Sequence, residues 1–438
     1  MKLTTEFATH FTERGFKQPS AVQQAVYEPM MAGQSVIGIA PTGSGKTLAF
    51  TWPLLPQLKA DQGTQLIVIE PSQELAMQTT TVMREWAQLL GLSVQSLTGG
   101  ANLKRQVERL KKTHPNIVIG TPGRLDHLLA ERNLKLHQVT QVVVDEADDL
   151  LVDETQARVL ALLQAVPKTA QLSFFSATLG DLDANRLSKL VERDLTVIDV
   201  RNQDTSQGEV KHGLVKALSM SDKAAMLERL SQTKNFRALV FFTSIKTLHY
   251  TASRLKHAGV PVAVLGGKQR QTERETMLRQ FRKRQVKLLL TTDVAARGLD
   301  IPKLPAVVNF ELPQSADAYV HRAGRTGRQG EPGTVMTLGS DHDLRKLKRL
   351  MTDHDYTFET LTIARREVKT TAEAKALAKP KAGNLTSKAK PHQVKATAPT
   401  GQASVSAAPV GGVKKRKKKQ KHSKNKGMRH KRRQQNQA

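Results

Sequence analysis

The chain has 438 residues, with 68 Lys and Arg against 39 Asp and Glu, a net charge of +29 and no cysteine. That length accommodates two or three domains with their own cores, while the missing thiols exclude a disulfide framework and a thiolate metal site and point to a reducing compartment, the cytoplasm. No apolar run nears the roughly 20 residues that span a bilayer, and the N-terminal Met1-Lys2-Leu3-Thr4-Thr5-Glu6 lacks the apolar core of a secretory signal, so no membrane is expected as a partner.

The first predicted strand, 36–39, runs into Ala40-Pro41-Thr42-Gly43-Ser44-Gly45-Lys46-Thr47. Glycines matter here because backbone N–H groups reach phosphate oxygens only where no side chain blocks them, and the helix that follows turns its positive end toward the anion. Thr42, Gly43, Ser44 and Gly45 would cradle the phosphates, with Lys46 on the β and γ phosphates and Thr47 on Mg²⁺. A strict form of this pattern has Gly where the chain has Ala40. Further on, Val142-Val143-Val144 reads as a buried parallel strand, so Asp145 and Glu146 emerge at its carboxyl end, where open α/β sheets bind ligands. One acid then holds the metal while its neighbour polarises water. Together the two segments read as an ATP hydrolysis site.

Other apolar strands are predicted at 66–69, 117–119, 172–175 and 196–200, with helical patterns between them. This alternation is the signature of a doubly wound parallel sheet. After a polar linker, 201–209, it starts again, with strands at 239–242, 262–265, 288–290, 307–310 and 335–338 but no second phosphate loop. The expected α/β architecture is therefore an N-terminal ATP-binding domain, 1–200, and a second domain, 210–365, that completes the nucleotide site. The completing element is His321-Arg322-Ala323-Gly324-Arg325-Thr326-Gly327-Arg328-Gln329-Gly330. Arginines three residues apart share a face, and guanidinium groups suit a phosphoryl group gaining charge in its transition state. Supplied from another domain, such a finger makes hydrolysis depend on domain closure.

The last segment, 366–438, is expected to be a disordered basic tail. Residues 371–438 hold 19 of the 68 Lys and Arg and one acid, Glu373, leaving +18 there and +11 for the rest. With no Phe, Trp or Tyr, this stretch buries too little apolar surface to offset its ordering entropy. Its densest portion, Lys414 through Arg433, has strong nucleic-acid potential by counterion release. A solubilising tail is the competing reading, and an acidic membrane surface a weaker one because no amphipathic helix or lipidation signal accompanies the charge.

From Gly15 to about Gly333 the chain resembles the DEAD-box family of ATP-dependent RNA helicases. Besides the segments above, the resemblance rests on Gly15-Phe16-Lys17-Gln18-Pro19-Ser20-Ala21-Val22-Gln23, Pro71-Ser72-Gln73-Glu74-Leu75-Ala76, Gly99-Gly100, Thr121-Pro122-Gly123-Arg124, Ser176-Ala177-Thr178, Gln271-Thr272-Glu273-Arg274 and Thr292 through Asp300. It implies two tandem RecA-like domains that close around ATP and single-stranded RNA. It also implies roles: Gln23 reads the adenine edge with Phe16 nearby, Glu146 positions or activates water, Asp145 and Thr47 organise Mg²⁺, Arg325 and Arg328 reach the γ phosphate, and Asp300 touches the ribose. Ser176 and Thr178 would couple hydrolysis to strand separation, with His321 bonded toward Asp148. RNA would cross both domains through Gly100, Thr121, Arg124, Thr243, Arg274 and Thr292, by contacts to phosphate and 2′-OH that give weak sequence preference.

Three features depart from the family pattern. Gln73 stands where Arg is usual, Glu311 replaces the usual Asp, and only the residues before Gly15 are available for an upstream aromatic. Gly99 and Gly100 also read as a simple turn, and Thr243 as a strand terminator. Trp52 and Trp86 lack interleaved basic residues and are assigned no ligand. The expected function is an RNA-dependent ATPase that unwinds or remodels short duplexes, in ribosome assembly or cold adaptation, with ribosomal particles as partners of the tail. An RNA-annealing factor or clamp with secondary ATPase is the alternative, and a DNA helicase is disfavoured.

Overall fold

The computed structural model describes residues 1–178, 184–203, 208–266, 269, 271–296, 298–299, 301–354, 356–364 and 367–371. Asp300 and nearly all of the predicted basic tail lie outside them. Seven strands build the first sheet: β1 Val36–Ile39, β2 Leu66–Ile69, β3 Val94–Leu97, β4 Ile117–Gly120, β5 Gln141–Val144, β6 Gln171–Ser176 and β7 Thr196–Asp199. Their order is β3-β4-β2-β5-β6-β1-β7, and every neighbouring pair is parallel. The central strands are buried on both faces because apolar residues fill successive positions. Alternate residues therefore feed two cores, Ile37, Ile67, Val142 and Phe174 on one face and Val36, Val68, Val143 and Phe175 on the other.

Register determines what meets at the carboxyl edge. Ile39 of β1 lies beside Ser176 of β6, and Val144 of β5 beside Phe174. The segments that follow β1, β5 and β6 thus emerge side by side: the glycine-rich loop, Asp145-Glu146 and Ser176-Ala177-Thr178.

The second sheet comprises β8 Val210–Lys216, β9 Ala238–Phe242, β10 Val262–Leu265, β11 Leu288–Thr292, β12 Ala306–Asn309, β13 Gly333–Gly339, β14 Phe358–Ala364 and β15 Glu367–Thr370. Its order is β10-β11-β9-β12-β13-β8-β14-β15, parallel except for the β14–β15 pair. Two cores again flank it, with Val240 and Val308 on one face and Leu239 and Val307 on the other. Each sheet with its helices forms a lobe. No helix among the described residues is long and apolar enough to cross a membrane.

Four strands escape the apolar-run reading. β3 is an edge strand in which Val94 and Ser96 are only half-buried, so it alternates. β8 carries His212 and Gly213, and its burial depends on distant groups: the Tyr319 hydroxyl lies 2.7 Å from His212 Nδ1, and a side chain at Gly213 would collide with Leu361. β14 alternates polar and apolar residues, and β15 lies beyond 366, where order was expected to end. Antiparallel pairing with β14 adds residues 367–370 to the second sheet, and Val368 packs on the second-lobe core. The predicted linker is not simply extended either. Residues Arg201–Gln203 form a short 3-10 turn, and the Gly208 N–H donates to the Gly327 carbonyl at 2.8 Å.

Candidate active site and interlobe groove

Gly43 and Gly45 both adopt φ of +89°, a left-handed conformation that a side chain disfavours, and helix Lys46–Leu54 starts directly after them. A Cβ on Gly45 would also collide with the Gln23 amide. Gln23 is held there from both ends: its oxygen accepts from Ser20 N at 2.8 Å and its nitrogen donates to Gly45 O at 3.2 Å. Phe16 is 38 % exposed and packs on Phe11 with ring centres 5.3 Å apart. Trp52 and Trp86 are buried in the core and pack edge to face, 5.4 Å apart.

Lys46 is buried beneath the loop, donating to Ala40 O at 3.2 Å, with its Nζ 3.7 Å from Glu146 Oε2. Thr47 follows, half-buried. Glu146 sits at φ +48°, a kink that turns the chain sharply out of β5, and its N–H donates to Asp145 Oδ1 at 2.9 Å. Burial, and then the charge of Glu146, push the Asp145 carboxyl up to about 7, against the pull of Lys46.

A further acid lies beside it. Glu70 follows β2 as Asp145 follows β5, and Ile69 pairs with Val144, so the two carboxyl groups are neighbours. Glu70 is fully buried and accepts from the Thr79 hydroxyl at 2.6 Å, while its other oxygen has no partner. Burial first, and Asp145 second, raise its pKa well above the carboxylate range. In sequence it reads only as the end of an apolar run, and the parallel register alone reveals it.

The pocket is short of positive charge and hydrogen-bond partners. Buried Ser44 Oγ and Glu146 Oε2 have no hydrogen-bond partner, and paired acids crowd one lysine. These features fit a phosphate chain and a divalent cation. Glu146, Asp148 and His321 also offer ligand atoms within 4.8 Å of one another. There the histidine nitrogen already faces Asp148, 3.0 Å from its Oδ2.

The second lobe closes directly over this site. Thr42 Oγ1 donates to Gly324 O at 3.0 Å, and the Arg328 side chain lies over Gly43. Arg328 Nε donates to Gly324 O at 2.8 Å, and Arg325 donates to Leu299 O at 3.0 Å. Arg322, the first of the three arginines, turns away. It is 1 % exposed, clamps Asp293 through two bonds of 2.6 and 2.7 Å, and donates to Asn309 and the Glu311 carbonyl. Spacing alone grouped it with the other two, but helix Ala316–Ala323 points it into the second lobe.

A hydrogen-bonded chain joins the lobes beside the acids. Ser176 Oγ donates to Thr178 O at 2.6 Å, Thr178 Oγ1 donates to Asp148 Oδ2 at 2.6 Å, and His321 Nε2 lies 3.0 Å from the same oxygen. Burial would raise the Asp148 pKa, but bonds from His321 and Thr178 hold it well below the carboxylate range. Burial would lower that of His321, but Asp148 raises it.

A cavity of about 1010 Å³ runs across both lobes on another side of the interface. Gly100, Thr121, Thr243, Arg274 and Thr292, five of the six residues grouped in sequence for RNA, line it together with Gln73. Arg124 does not; its guanidinium donates to Gln106 and the Ala101 carbonyl. Gln73 extends its amide over the Gly99–Gly100 turn. Arg274 spans the groove to Glu74 at 2.7 Å. Glu311 accepts from Thr243 N, Thr243 Oγ1 and Ser244 N at 2.8 to 3.0 Å, which fixes that corner of the second lobe. Ile245 and Val294, 45 % and 73 % exposed, supply an apolar floor that polarity-based reading passes over. Close by, Gly298 at φ +70° touches Ser72 and Leu75 of the first lobe, and its carbonyl accepts from Gln78 at 2.7 Å, so only glycine fits.

Two family models match the chain, "DEAD/DEAH box helicase" over residues 20–186 and "Helicase conserved C-terminal domain" over 222–330. The chain is 39 % identical to "Probable ATP-dependent RNA helicase YfmL" of Bacillus subtilis over 337 residues, 77 % of this chain and 89 % of that protein. It is 35 % identical to "DEAD-box ATP-dependent RNA helicase CshC" of Bacillus cereus over 338 residues, 76 % of this chain and 85 % of that one. Among solved structures it is similar to S. cerevisiae Dbp5 bound to RNA and ADP BeF3, with a TM-score of 0.72, 27 % identity, and coverage of 82 % of this chain and 94 % of that chain. It is also similar to the helicase Mss116 bound to ssRNA and UDP-BeF, with a TM-score of 0.73, 25 % identity, and coverage of 83 % and 79 %.

Proposed function

The chain belongs to the DEAD-box family of ATP-dependent RNA helicases, and we propose that it couples ATP hydrolysis at the Lys46–Glu146 site to local remodelling of short RNA duplexes in the groove lined by Gln73, Gly100 and Arg274. One observation carries this reading: the glycine-rich loop of one lobe and the arginine-bearing turn of the other meet directly, at Thr42 and Gly324.

ATP phosphates fit against the backbone from Thr42 to Gly45, with Lys46 beneath them and Gln23 and Phe16 on the adenine side. Asp145 and Thr47 would hold Mg²⁺, which when bound neutralises charge on the β and γ phosphates. Glu146 takes the proton from the attacking water as the bond from the γ phosphorus to ADP breaks. Arg325 and Arg328 stabilise the charge that develops on the departing phosphoryl group. Both arginines come from the second lobe, so hydrolysis requires closure. RNA bound across the groove favours closure too, and each ligand therefore raises the affinity for the other. The Thr178–Asp148–His321 chain ties the hydrolytic acids to that closure. Strand separation follows from bending one strand at the groove, without translocation. The composition of the basic tail assigns it to tethering on large structured RNA, such as ribosomal assembly intermediates. Deleting residues 372–438, which spares β15, is expected to raise the RNA concentration for half-maximal ATPase and leave the maximum nearly unchanged.

The test is steady-state ATPase with single-stranded RNA, with DNA and with neither, beside a Glu146→Gln control. Stimulation by RNA alone, lost in the control, is the expected result. Tight RNA binding without hydrolysis would instead make the chain an RNA clamp.

A further inference from the structure

A second cavity, of about 540 Å³, lies apart from both the hydrolytic site and the groove, and its lining includes Arg237, Arg282, Arg284 and Lys303 with Gln78 of the first lobe. Arg237, just ahead of β9, is 8 % exposed. Its guanidinium donates to the carbonyls of Pro302 and Lys303, at 3.1 and 3.0 Å, and rests over the Phe281 ring at 5.2 Å. Among the described residues no acid pairs with Arg237 or Arg284, whereas Lys303 binds Glu331 at 2.8 Å on the rim. Burial, and then the charge of Arg284, disfavour the charged form of Arg237. Arg284 itself is held at φ +58°, a conformation that a non-glycine residue adopts at a cost. The negative end of helix Gln271–Arg282 accounts for Arg282. It does not account for a buried, acid-free arginine facing a second one across an open cavity. That arrangement is short of an anion.

The helix also indicates which anion. Arg274, which lines the groove, and Arg282, which lines this cavity, stand eight residues apart on it, about 12 Å along its axis at 1.5 Å per residue. A strand leaving the groove reaches the cavity within a few nucleotides. We propose that this cavity is a phosphate site for the backbone of RNA flanking the groove, which lengthens the footprint of the protein on a continuous strand; this rests on the RNA-binding reading of the groove.

Arg282→Gln with Arg284→Gln changes two exposed side chains outside the hydrolytic machinery. In the full-length chain, binding of two single-stranded RNAs is followed by fluorescence anisotropy as a function of salt. One oligomer just fills the groove and the other extends beyond it at both ends. The expected result is a several-fold loss of affinity for the long RNA and a salt slope shallower by about 1.4, from two phosphate contacts at about 0.7 each. Binding of the short RNA and the ATPase it stimulates stay at the parental level. Equal weakening for both lengths, or none for either, overturns the proposal. So does binding of inorganic tripolyphosphate that the substitutions abolish while both RNAs bind normally, which would assign the cavity to a small free anion. A parent protein that neither binds the short RNA nor is stimulated by it fails at the groove instead, and the two failures are thereby distinguished.

Discussion

His321 of the second lobe sets its Nε2 3.0 Å from Oδ2 of Asp148 in the first, and Thr178 donates to that same oxygen at 2.6 Å. Asp148 raises the His321 pKa over the lowering effect of burial, and it does so only while the lobes are joined. The contact therefore contributes fully below the ordinary imidazole range and is lost as pH rises through the raised value. Asp148, held low, keeps its charge across that window. RNA-stimulated ATPase at sub-saturating RNA should decline on the alkaline side, and His321→Gln should flatten that limb. An identical limb in H321Q would assign the titration to another group.

Gly324 has φ of −64°, which suits alanine, yet a Cβ there would run into the Thr42 hydroxyl. Gly324→Ala should leave folding and ATP binding intact while lowering RNA-stimulated kcat by about 10²-fold, the scale on which a small misplacement of reacting groups is felt. Thr42→Ala in the same chain should restore part of the loss. Full turnover in G324A would mean that the lobes do not have to meet at this point.

The three arginines of the second lobe should separate by phenotype. Arg322→Ala removes a buried guanidinium that donates four hydrogen bonds, and is expected to cost about 3 kcal/mol of stability, read as a fall in Tm or denaturant midpoint. Arg325→Ala and Arg328→Ala should change stability by less than about 1 kcal/mol, yet lower kcat by about 10³-fold if each acts on the transferring phosphoryl group.

Gln73 brings a neutral amide into the groove beside Gly99 and Gly100. Gln73→Arg adds a cation there. RNA affinity should rise several-fold, and the salt slope of binding should steepen by about 0.7, one phosphate contact on a single strand. An unchanged slope would show that position 73 lies off the RNA path.

The buried pair Glu70 and Asp145 makes stability pH-dependent in protein free of Mg²⁺ and nucleotide. Both carboxyl groups titrate above their ordinary range, so the stability they contribute is present below that range and is lost as pH rises, through about 7 for Asp145. Tm should fall across that interval. Glu70→Gln keeps an acceptor for Thr79 and removes one like charge, so its Tm should fall less steeply. Glu70→Ala strands the Thr79 hydroxyl and opens a cavity, at about 2–3 kcal/mol. A Tm profile of E70Q that follows the parent would remove Glu70 from the pair.

Most of the fold was legible wherever burial on both faces demands an unbroken apolar run, as at 36–39, 66–69 and 142–144. It was illegible where burial depends on partners far along the chain. His212 in β8 is covered by Tyr319 and Tyr356, more than a hundred residues away, and β15 exists through its pairing with β14. The site divides in the same way. The segments from Thr42 to Thr47 and from Asp145 to Asp148 are contiguous, and their chemistry is written in adjacent residue types. The separate tasks of Arg322, Arg325 and Arg328 are not, because equal spacing in sequence does not say which helix face meets the other lobe.

From sequence alone came the glycine-rich loop, the acidic pair, two rounds of alternating strand and helix, and the residues proposed for a nucleotide and for RNA. These rest on local physics: glycines that free backbone N–H groups, apolar runs that demand double burial, and charge placed at strand ends. Tertiary structure alone decided that Glu70 stands beside Asp145, that Gly298 and Gly324 let the two lobes come into contact, that Arg322 serves the second lobe, and that Arg237 lies buried with no acid beside it among the described residues. Each of these depends on which strands are neighbours and how two lobes meet, and a parallel sheet joins residues that are remote in the chain.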